Sequence, residues 1–548
     1  MSIRVNNIVL DIEEDLAVLK ERAAKKLKLT ASQLKDIKIL REAVDARKKD
    51  MIKFNYTLEV TAHENEAKLV ENLNDKDVKL ENHKYTDEVL FGTRKMEHRP
   101  IVVGMGPAGL FAGLLMARKG YKPIIIERGE RVEERTKSVN SFWKTGSLNA
   151  ESNVQFGEGG AGTFSDGKLT TRIKDSRCDY ILESMVKAGA PEEILYTGKP
   201  HVGTDILKTV VKNIREEIIN LGGEVKFSSR LEDLIIKNGI LMGIKVNGEE
   251  LPCENLVLAI GHSSRDTYDM IFKRGITLKA KPFAIGVRIE HLQSLIDESQ
   301  YGKFAGHPRL RAADYRLSYT SEKLNKSIYS FCMCPGGEVV AAASEEKRLV
   351  TNGMSYYKRD LTNANSALVV SVGPGDFGEG NPLAGMGFQR HLESLAYSLG
   401  GGGYKAPVQL VGDFLKDRVS TKLGKIKPTY TPGYEFKELK QCLPSYVIDA
   451  LKEGLVNFDN KIKGYASEDA VLTGIETRTS APVRIERNES FQSVSLQGLY
   501  PAGEGAGYAG GIVSAAVDGL RIAEAIMKEW APIKKFFEWL NFILNLLK

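Results

Sequence analysis

Cysteine, tryptophan and long apolar runs are all scarce in this sequence. Five cysteines (Cys178, Cys253, Cys332, Cys334 and Cys442) are too few and too scattered along 548 residues for a disulfide framework. The N-terminus, MSIRVNNIVLDIEEDL, has neither the basic start nor the continuous apolar core of a signal peptide. No uninterrupted apolar run is long enough to span a bilayer. A reducing, cytoplasmic setting is the expectation these absences leave. There is no basic tail or arginine-rich block, and the net charge of +6 is small for the length, so nucleic acid is not an expected partner. What the chain does have is glycine. Its 52 glycines cluster in a few stretches, as where backbone must pass close to a ligand.

A chain of this length needs two or three domains. Residues 1–95 read as a small α/β unit of ferredoxin-like type. Ile3 to Ile12 alternates as a strand, and Asp11 and Glu14 are spaced as a capping box for a helix with Leu16, Leu19, Ala23 and Leu27 on one face. Thr30 and Gln33 repeat the capping-box spacing, Ile52 to Thr61 alternates again, and Glu64 to Asp87 reads as a solvated helix and loop. From His98 the character changes. RPIVVGMGPAGLFAGLLMARKGYKPIIIERG is a buried strand, a glycine turn, a helix with a small-residue face and a second apolar strand.

Gly104, Gly106 and Gly109 satisfy GxGxxG in that setting, and Glu127 closes the second strand. Gly104 permits the tight turn, Gly106 admits a pyrophosphate, and Gly109 lets helix and strand pack closely, with Pro107 and Ala108 opening the helix. A carboxylate at Glu127, with Arg128 beside it, suits the hydroxyls of an unphosphorylated ribose, as in FAD or NAD. Two distant segments favour FAD. LVLAIGH (Leu256 to His262) is an apolar strand running into Gly261, as where a strand returns beside the first glycine turn. LYPAGEGAGYAGGIVSAAVDGLRIAEAI carries Gly503, Glu504, Gly510, Gly511 and Ile512 into a helix whose free N–H groups suit the flavin N1–C2=O edge.

GMGPAGLFAGL, FGEGGAGTFSDGKL, AIGHSSRDTY, KPFAIGVRIEH, FCMCPGGEVV, NGMSYYKR, TRTSAPVRI and GLYPAGEGAGYAGGIVSAAVDGLRIAEAI together resemble the bacterial NAD(FAD)-utilising dehydrogenase family. That group is related in fold to flavoproteins that include aspartate oxidase and fumarate reductase. The resemblance spans nearly all of residues 1–528. It implies an α/β fold in which a Rossmann-like FAD-binding domain (96–278 and 489–528) is interrupted by an α+β substrate domain (279–488) behind the small N-terminal domain. It also implies that the stretch from Phe156 to Arg172 threads past pyrophosphate and flavin. There Gly160 and Gly162 would allow close approach, Thr163 and Ser165 would bond phosphate or ribityl oxygens, and Lys168 would stabilise negative charge.

Beyond the cofactor the residues leave alternatives. Arg288 and Glu290 share one strand face with His291 on the other, and Arg478 and Arg484 are similar candidates. At least one arginine is expected to hold a substrate carboxylate, although each is as readily structural. His262 or His291 would move a proton beside the flavin, or simply be hydrogen-bonded. Arg265 and Asp266 either line the site or form an ion pair. Cys332 and Cys334 are spaced CxC rather than CxxC, read as buried thiols, and with no second pair they offer no metal site. A second GxGxxG at Gly373, Gly375 and Gly378 lacks the helix that would bind a phosphate. A two-nucleotide disulfide reductase is therefore not the reading, and NADH or NADPH would dock only transiently. Residues 529–548, EWAPIKKFFEWLNFILNLLK, form an amphipathic pattern in which Trp530 and Trp539 suit a membrane interface; packing on this chain or on a second subunit is the preferred reading. Two functions from different classes stand. One is an FAD-dependent oxidoreductase passing hydride between flavin N5 and a small organic substrate. The other is a non-catalytic FAD-binding protein whose N-terminal domain docks RNA or a protein partner.

Overall fold

The computed structural model describes residues 2–63, 65–81 and 91–532. Near the N-terminus, strands Ile3–Asp11, Leu34–Asp45, Lys53–Ala62 and Val78–Leu80 form an antiparallel sheet in the order second, third, first, fourth, with helices Val18–Lys26 and Glu66–Leu73 in the connections. That is the strand order of a ferredoxin-like sheet. The first strand buries Ile3 and Val5, then Ile8 and Leu10. Strict alternation would point the second pair outward, but the register shifts between Val5 and Ile8, where Asn7 takes φ 55°. The extra residue restores the inward face, and asparagine tolerates that left-handed backbone.

The first helix begins later than its capping-box spacing suggests. Glu14 accepts from the Asp11 N–H at 2.7 Å, but this closes a turn; the helix starts at Val18, and Leu16 stays 46% exposed. The Thr30–Gln33 box caps a single 3₁₀ turn, Ala31–Gln33, before a long edge strand whose charges obscure its alternation. Arg309 fastens this sheet to the body. It donates to the carbonyls of Ile12 (2.8 Å) and Glu14 (2.6 Å) and lies 4.3 Å over the Phe54 ring.

Five parallel strands make the Rossmann-like sheet, ordered Leu499–Pro501, Leu256–Leu258, Ile101–Val103, Ile124–Ile126 and Glu224–Lys226. The two segments predicted to return to the glycine turn therefore lie on one side of it and the Glu127 strand on the other. Helix Pro107–Arg118 is buried all round from Ala108 to Ala117, as expected of an apolar helix within a core. Helix Ile512–Glu529 lies against it so closely that a Cβ on Gly519 would stand 2.0 Å from the Ala108 carbonyl oxygen.

The intervening region is built on a seven-stranded sheet whose central strands, Phe283–Leu292, Asn363–Val372 and Val471–Glu476, are buried on both faces. The second GxGxxG follows one of these strands and leads only to a one-turn helix, Pro374–Phe377, with Asp376 bonded back to the Gly373 N–H at 2.8 Å. At the C-terminus, Trp530–Ala531 pairs with Arg94–Lys95. Trp530 is 5% exposed beneath the Arg94 guanidinium, so the protein body takes up a side chain whose sequence setting suits a membrane interface. The amphipathic pattern from residue 533 onward lies outside the described residues. Among those described, no helix is long and apolar enough to cross a membrane.

The helix contact gives a direct test. Gly519→Val drives a branched side chain into the Ala108 carbonyl, and overpacking of this kind costs about 1–3 kcal/mol. The expected result is a lower thermal midpoint together with loss of visible flavin absorbance from the purified protein. An unchanged midpoint and colour would show that the two helices can part freely.

Candidate active site

The glycine turn after Ile101–Val103 opens toward a cavity of about 390 Å³, within the usual size range of ligand pockets. Gly104, at φ 95°, sits where a Cβ would be 2.3 Å from the Ala259 carbonyl oxygen, and a Cβ on Gly109 would meet the Gly104 carbonyl oxygen at 1.9 Å. Those two glycines answer to packing. Gly106 does not, since its Cβ would approach nothing nearer than Gly160 Cα at 3.8 Å. Gly106 begins the helix without a side-chain cap, Pro107 brings no N–H, and Gly106, Pro107 and Ala108 line the cavity.

A second uncapped helix start meets the first. Gly510, Gly511, Ile512 and Ala515 line the same cavity, and a Cβ on Gly510 would find open space within 4 Å. Gly503, at φ 69°, lets this turn pass over the Ala108 methyl group and anchors to Asp518 at 2.7 Å. Gly261 lies on the cavity wall at φ 69°. Two helix N-termini from opposite ends of the sequence thus present partial positive charge to one space.

Glu127 also lines the cavity, but its carboxylate is already oriented by three backbone donors: Met105 at 2.8 Å and Gly129 and Gly157 at 2.9 Å. Arg128 is held by Glu151 and Asp266 and lies 4.2 Å over the Phe156 ring, so Asp266 serves as its ion-pair partner. In the glycine-rich loop, Gly160 and Gly162 pass the cavity, Gly160 at φ 63° pressed against Gly106. Ser165 lines it and spends its hydroxyl proton on the Gly162 carbonyl (2.7 Å). Thr163 turns away from the main cavity to bond the Glu158 carbonyl at 3.2 Å, because Gly159 in the left-handed conformation folds the loop back on itself. Lys168 reaches the Met333 carbonyl in the intervening region. Fully buried Arg135, bonded to the carbonyls of Asn153, Val154 and Glu158, holds the loop from behind.

Two of the arginines expected to receive a substrate carboxylate, Arg288 and Arg478, are already paired. Arg288 is fully buried, with Glu476 at 2.6 Å and Asn352, Asn365 and the Cys332 carbonyl around it. Arg478 lines the cavity but shares Glu393 with Arg265, at 3.0 and 2.7 Å, and also bonds Ser263 and Ser344. Arg484 stacks 5.1 Å from the Tyr508 ring. His291 lies in the core of the large sheet, where it donates to the Tyr465 carbonyl at 2.7 Å and does not reach the cavity. Its strand is buried on both faces, so alternation turns it away from the site. His262 does line the cavity. Burial, then Arg478 and Arg265, push its pKa down to about 3, so it stands there as a neutral ring hydrogen-bonded to Ser263.

Residues 282–479 match a family described as "FAD-dependent protein, C-terminal domain-like", and residues 2–61 match a domain of unknown function. A protein of Clostridium beijerinckii, described as an uncharacterized protein, is 62% identical over 530 residues, covering 97% of this chain and 99% of the relative. Protein FixC of Escherichia coli K12 is 24% identical over 200 residues, 36% of this chain and 43% of FixC, so that match spans less than half of the relative. Among solved structures, glycine oxidase from Geobacillus kaustophilus is similar at 10% identity with a TM-score of 0.35, covering 80% of this chain and 97% of that one. The chain belongs to the same family as the Clostridium beijerinckii protein, and residues 282–479 mark it as an FAD-dependent protein.

FAD is the cofactor, and the lining fits it. Two uncapped helix starts would offer donors to a bound pyrophosphate and flavin, and the open space at Gly106 and Gly510 is where side chains would obstruct them. This flavoprotein also brings to the cavity residues that the sequence does not single out for chemistry. Phe331, Cys332, Asn352 and Glu476 come from the large sheet and its neighbouring strands. Cys332 reads from its spacing as a buried thiol; a bulge between Phe331 and Cys334 and φ 43° at Cys332 turn it to the cavity. Glu504, carried on the glycine turn before helix Ile512–Glu529, lines the cavity as well, and burial pushes its pKa up to about 7 against the pull of Lys281.

The shared carboxylate of Glu393 is the most exposed point of failure in this arrangement. The neighbouring arginines hold it well below the usual carboxylate range despite its burial. Glu393→Gln leaves two buried guanidinium groups poorly compensated, at a cost of about 3–5 kcal/mol. A depressed carboxyl contributes stability above its unfolded pKa of 4.5 and loses it as pH falls toward the folded value. Urea unfolding is therefore expected to show a large loss at pH 7 that narrows on acidification. Equal wild-type and variant midpoints at pH 7 would contradict the assignment.

Proposed function

We propose that this flavoprotein passes hydride between flavin N5 and a small organic substrate, with Glu504 carrying the accompanying proton. Bound FAD supplies the two-electron chemistry. The protein supplies the space and the proton. Glu504 carries the proposal, since a carboxyl on the cavity wall whose pKa is raised to about 7 exchanges a proton near neutral pH. His262 is a poorer proton carrier because it is already neutral far below that pH.

The substrate is taken to enter beside Phe331, Asn352, Arg478 and Thr479, the part of the wall contributed by the inserted region. Pairing of Arg288 with Glu476 and of Arg478 with Glu393 argues against direct capture of a carboxylate by these arginines. A substrate orientated by Asn352 and Thr479 hydrogen bonds accords better with that lining. NADH or NADPH is a candidate electron donor that would dock against the flavin without a nucleotide domain of its own.

Two measurements test this reading. Anaerobic titration with NADH, then NADPH, follows bleaching of the visible flavin band; rapid bleaching identifies a nicotinamide as reductant, and no bleaching with either directs the search to organic donors. With a competent donor in hand, the wild-type rate is expected to change with an inflection near pH 7. Glu504→Gln is expected to lose that inflection and about a hundredfold in rate. A variant retaining both the inflection and the rate would remove Glu504 from proton transfer.

A further inference from the structure

The strand Lys326–Cys334 carries two cysteines that the proposed hydride chemistry does not use. Cys332 faces the cavity, while Cys334 is fully buried behind it. The bulge at this point brings the pair together: the register of the strand breaks between Phe331 and Cys334, and Cys332 adopts φ 43°. The Cys334 thiol donates to the Cys332 carbonyl oxygen at 3.3 Å, which ties the two residues directly to one another. Regular strand backbone would hold two such residues side by side without turning one into a cavity.

The surroundings favour a thiolate at Cys332. Arg288 donates to its carbonyl at 2.9 Å, and Lys168 is tied to the next carbonyl along, that of Met333. Both cations act on the sulfur. Three acids face the same region: Asp166 is paired with Arg359, Glu476 is paired with Arg288, and Glu504 is kept largely neutral below about pH 7 by burial. Cys334 donation, then Arg288 and Lys168, hold the Cys332 thiol below its usual value, whereas Cys334 is pushed up by the same contact and by burial. A sulfur favoured as thiolate on the cavity wall and a protonated sulfur two residues along the same bulged strand are the two halves of a dithiol.

We propose that Cys332 and Cys334 form a redox-active dithiol–disulfide pair that exchanges electrons with the flavin held in the same cavity. In the oxidising direction the Cys332 thiolate and the Cys334 thiol join in an S–S bond, releasing two electrons and one proton. A bound FAD would supply the two-electron acceptor and take up the one proton released, so atoms and charge balance. The reverse step opens the disulfide at the expense of the reduced flavin. The protein thereby holds a second two-electron store next to the first, and an external thiol or disulfide able to reach Cys332 becomes a candidate reaction partner. This inference rests on FAD occupying the cavity as proposed above.

The experiment is an anaerobic dithionite titration of air-oxidised holoprotein, with thiols alkylated and peptides weighed at each stage. Wild-type protein is expected to take up four electrons per flavin. The oxidised peptide containing both cysteines should be lighter by two hydrogens and resist alkylation until reduction. Cys334→Ser is expected to take up two electrons per flavin and to leave Cys332 open to alkylation throughout. Two-electron uptake by the wild type, with both thiols alkylated in air-oxidised protein, overturns the pair and leaves the flavin reading standing. A protein isolated without flavin colour and unable to take up FAD would instead overturn the flavin reading on which the pair rests. The mass of the wild-type peptide decides whether the disulfide forms even if the variant fails to fold.

Discussion

The close approach of helices Pro107–Arg118 and Ile512–Glu529 is the constraint on which the site depends. A Cβ on Gly519 would stand 2.0 Å from the Ala108 carbonyl oxygen, and one on Gly503 2.7 Å from the Ala108 methyl carbon. No larger residue fits either place without moving a backbone. Because both helices begin on glycine with no side chain over their first N–H groups, bringing them together aims two sets of donors at one cavity. The parallel sheet supplies the same constraint from below. Strands Leu256–Leu258 and Leu499–Pro501 stand beside Ile101–Val103, so elements separated by hundreds of residues end at one edge.

The inserted region is then joined to that edge through charge buried at considerable expense. Arg265, from the helix after the returning strand, and Arg478, from the end of the large sheet, meet on Glu393, while Glu345 supports Arg265 at 2.5 Å. An apolar contact of similar volume would bind the regions as well. What the ionic contact adds is direction, because two forked guanidinium groups on one carboxylate permit few relative positions. It also places a field across the neighbouring wall, and His262 is held neutral partly by it.

The parts of this arrangement that are legible in the sequence are those dictated by backbone. Gly104 and Gly109 must be glycine for packing and Gly106 for open space, and the spacing of the three between a strand and a helix declares as much. The same holds for Gly510 and Gly511, which precede an apolar helix. Side-chain partnerships are not legible. Arg288 looks like a substrate ligand because nothing local reveals Glu476, which lies 188 residues away and pairs with it across adjacent strands. His291 is misread because a strand buried on both faces gives no polar side from which to infer the cavity. Cys332 is hidden by a bulge, and bulges leave little trace in the pattern of hydrophobic residues. The one local signal is the CPGG sequence after it, which marks a turn but not the direction of the thiol.

Electrostatics link these separately acquired features. Reduction of a flavin to its anionic form adds negative charge to a cavity already lined by Glu504, Glu476 and Cys332. Uncompensated, those groups would oppose the electron transfer. Arg288 neutralises Glu476, Lys168 stands over the Met333 carbonyl, and the two helix N-termini contribute positive potential without a mobile ion. Burial does the rest by keeping Glu504 protonated below about pH 7, so that it can give up a proton instead of opposing the charge. The same balance sets a limit on Cys332. A thiolate there competes with a reduced flavin for the same positive potential, so closing it into a disulfide with Cys334 removes one negative charge as the flavin acquires another. Electron exchange between the two is thereby the change of state that leaves the total charge of the cavity constant.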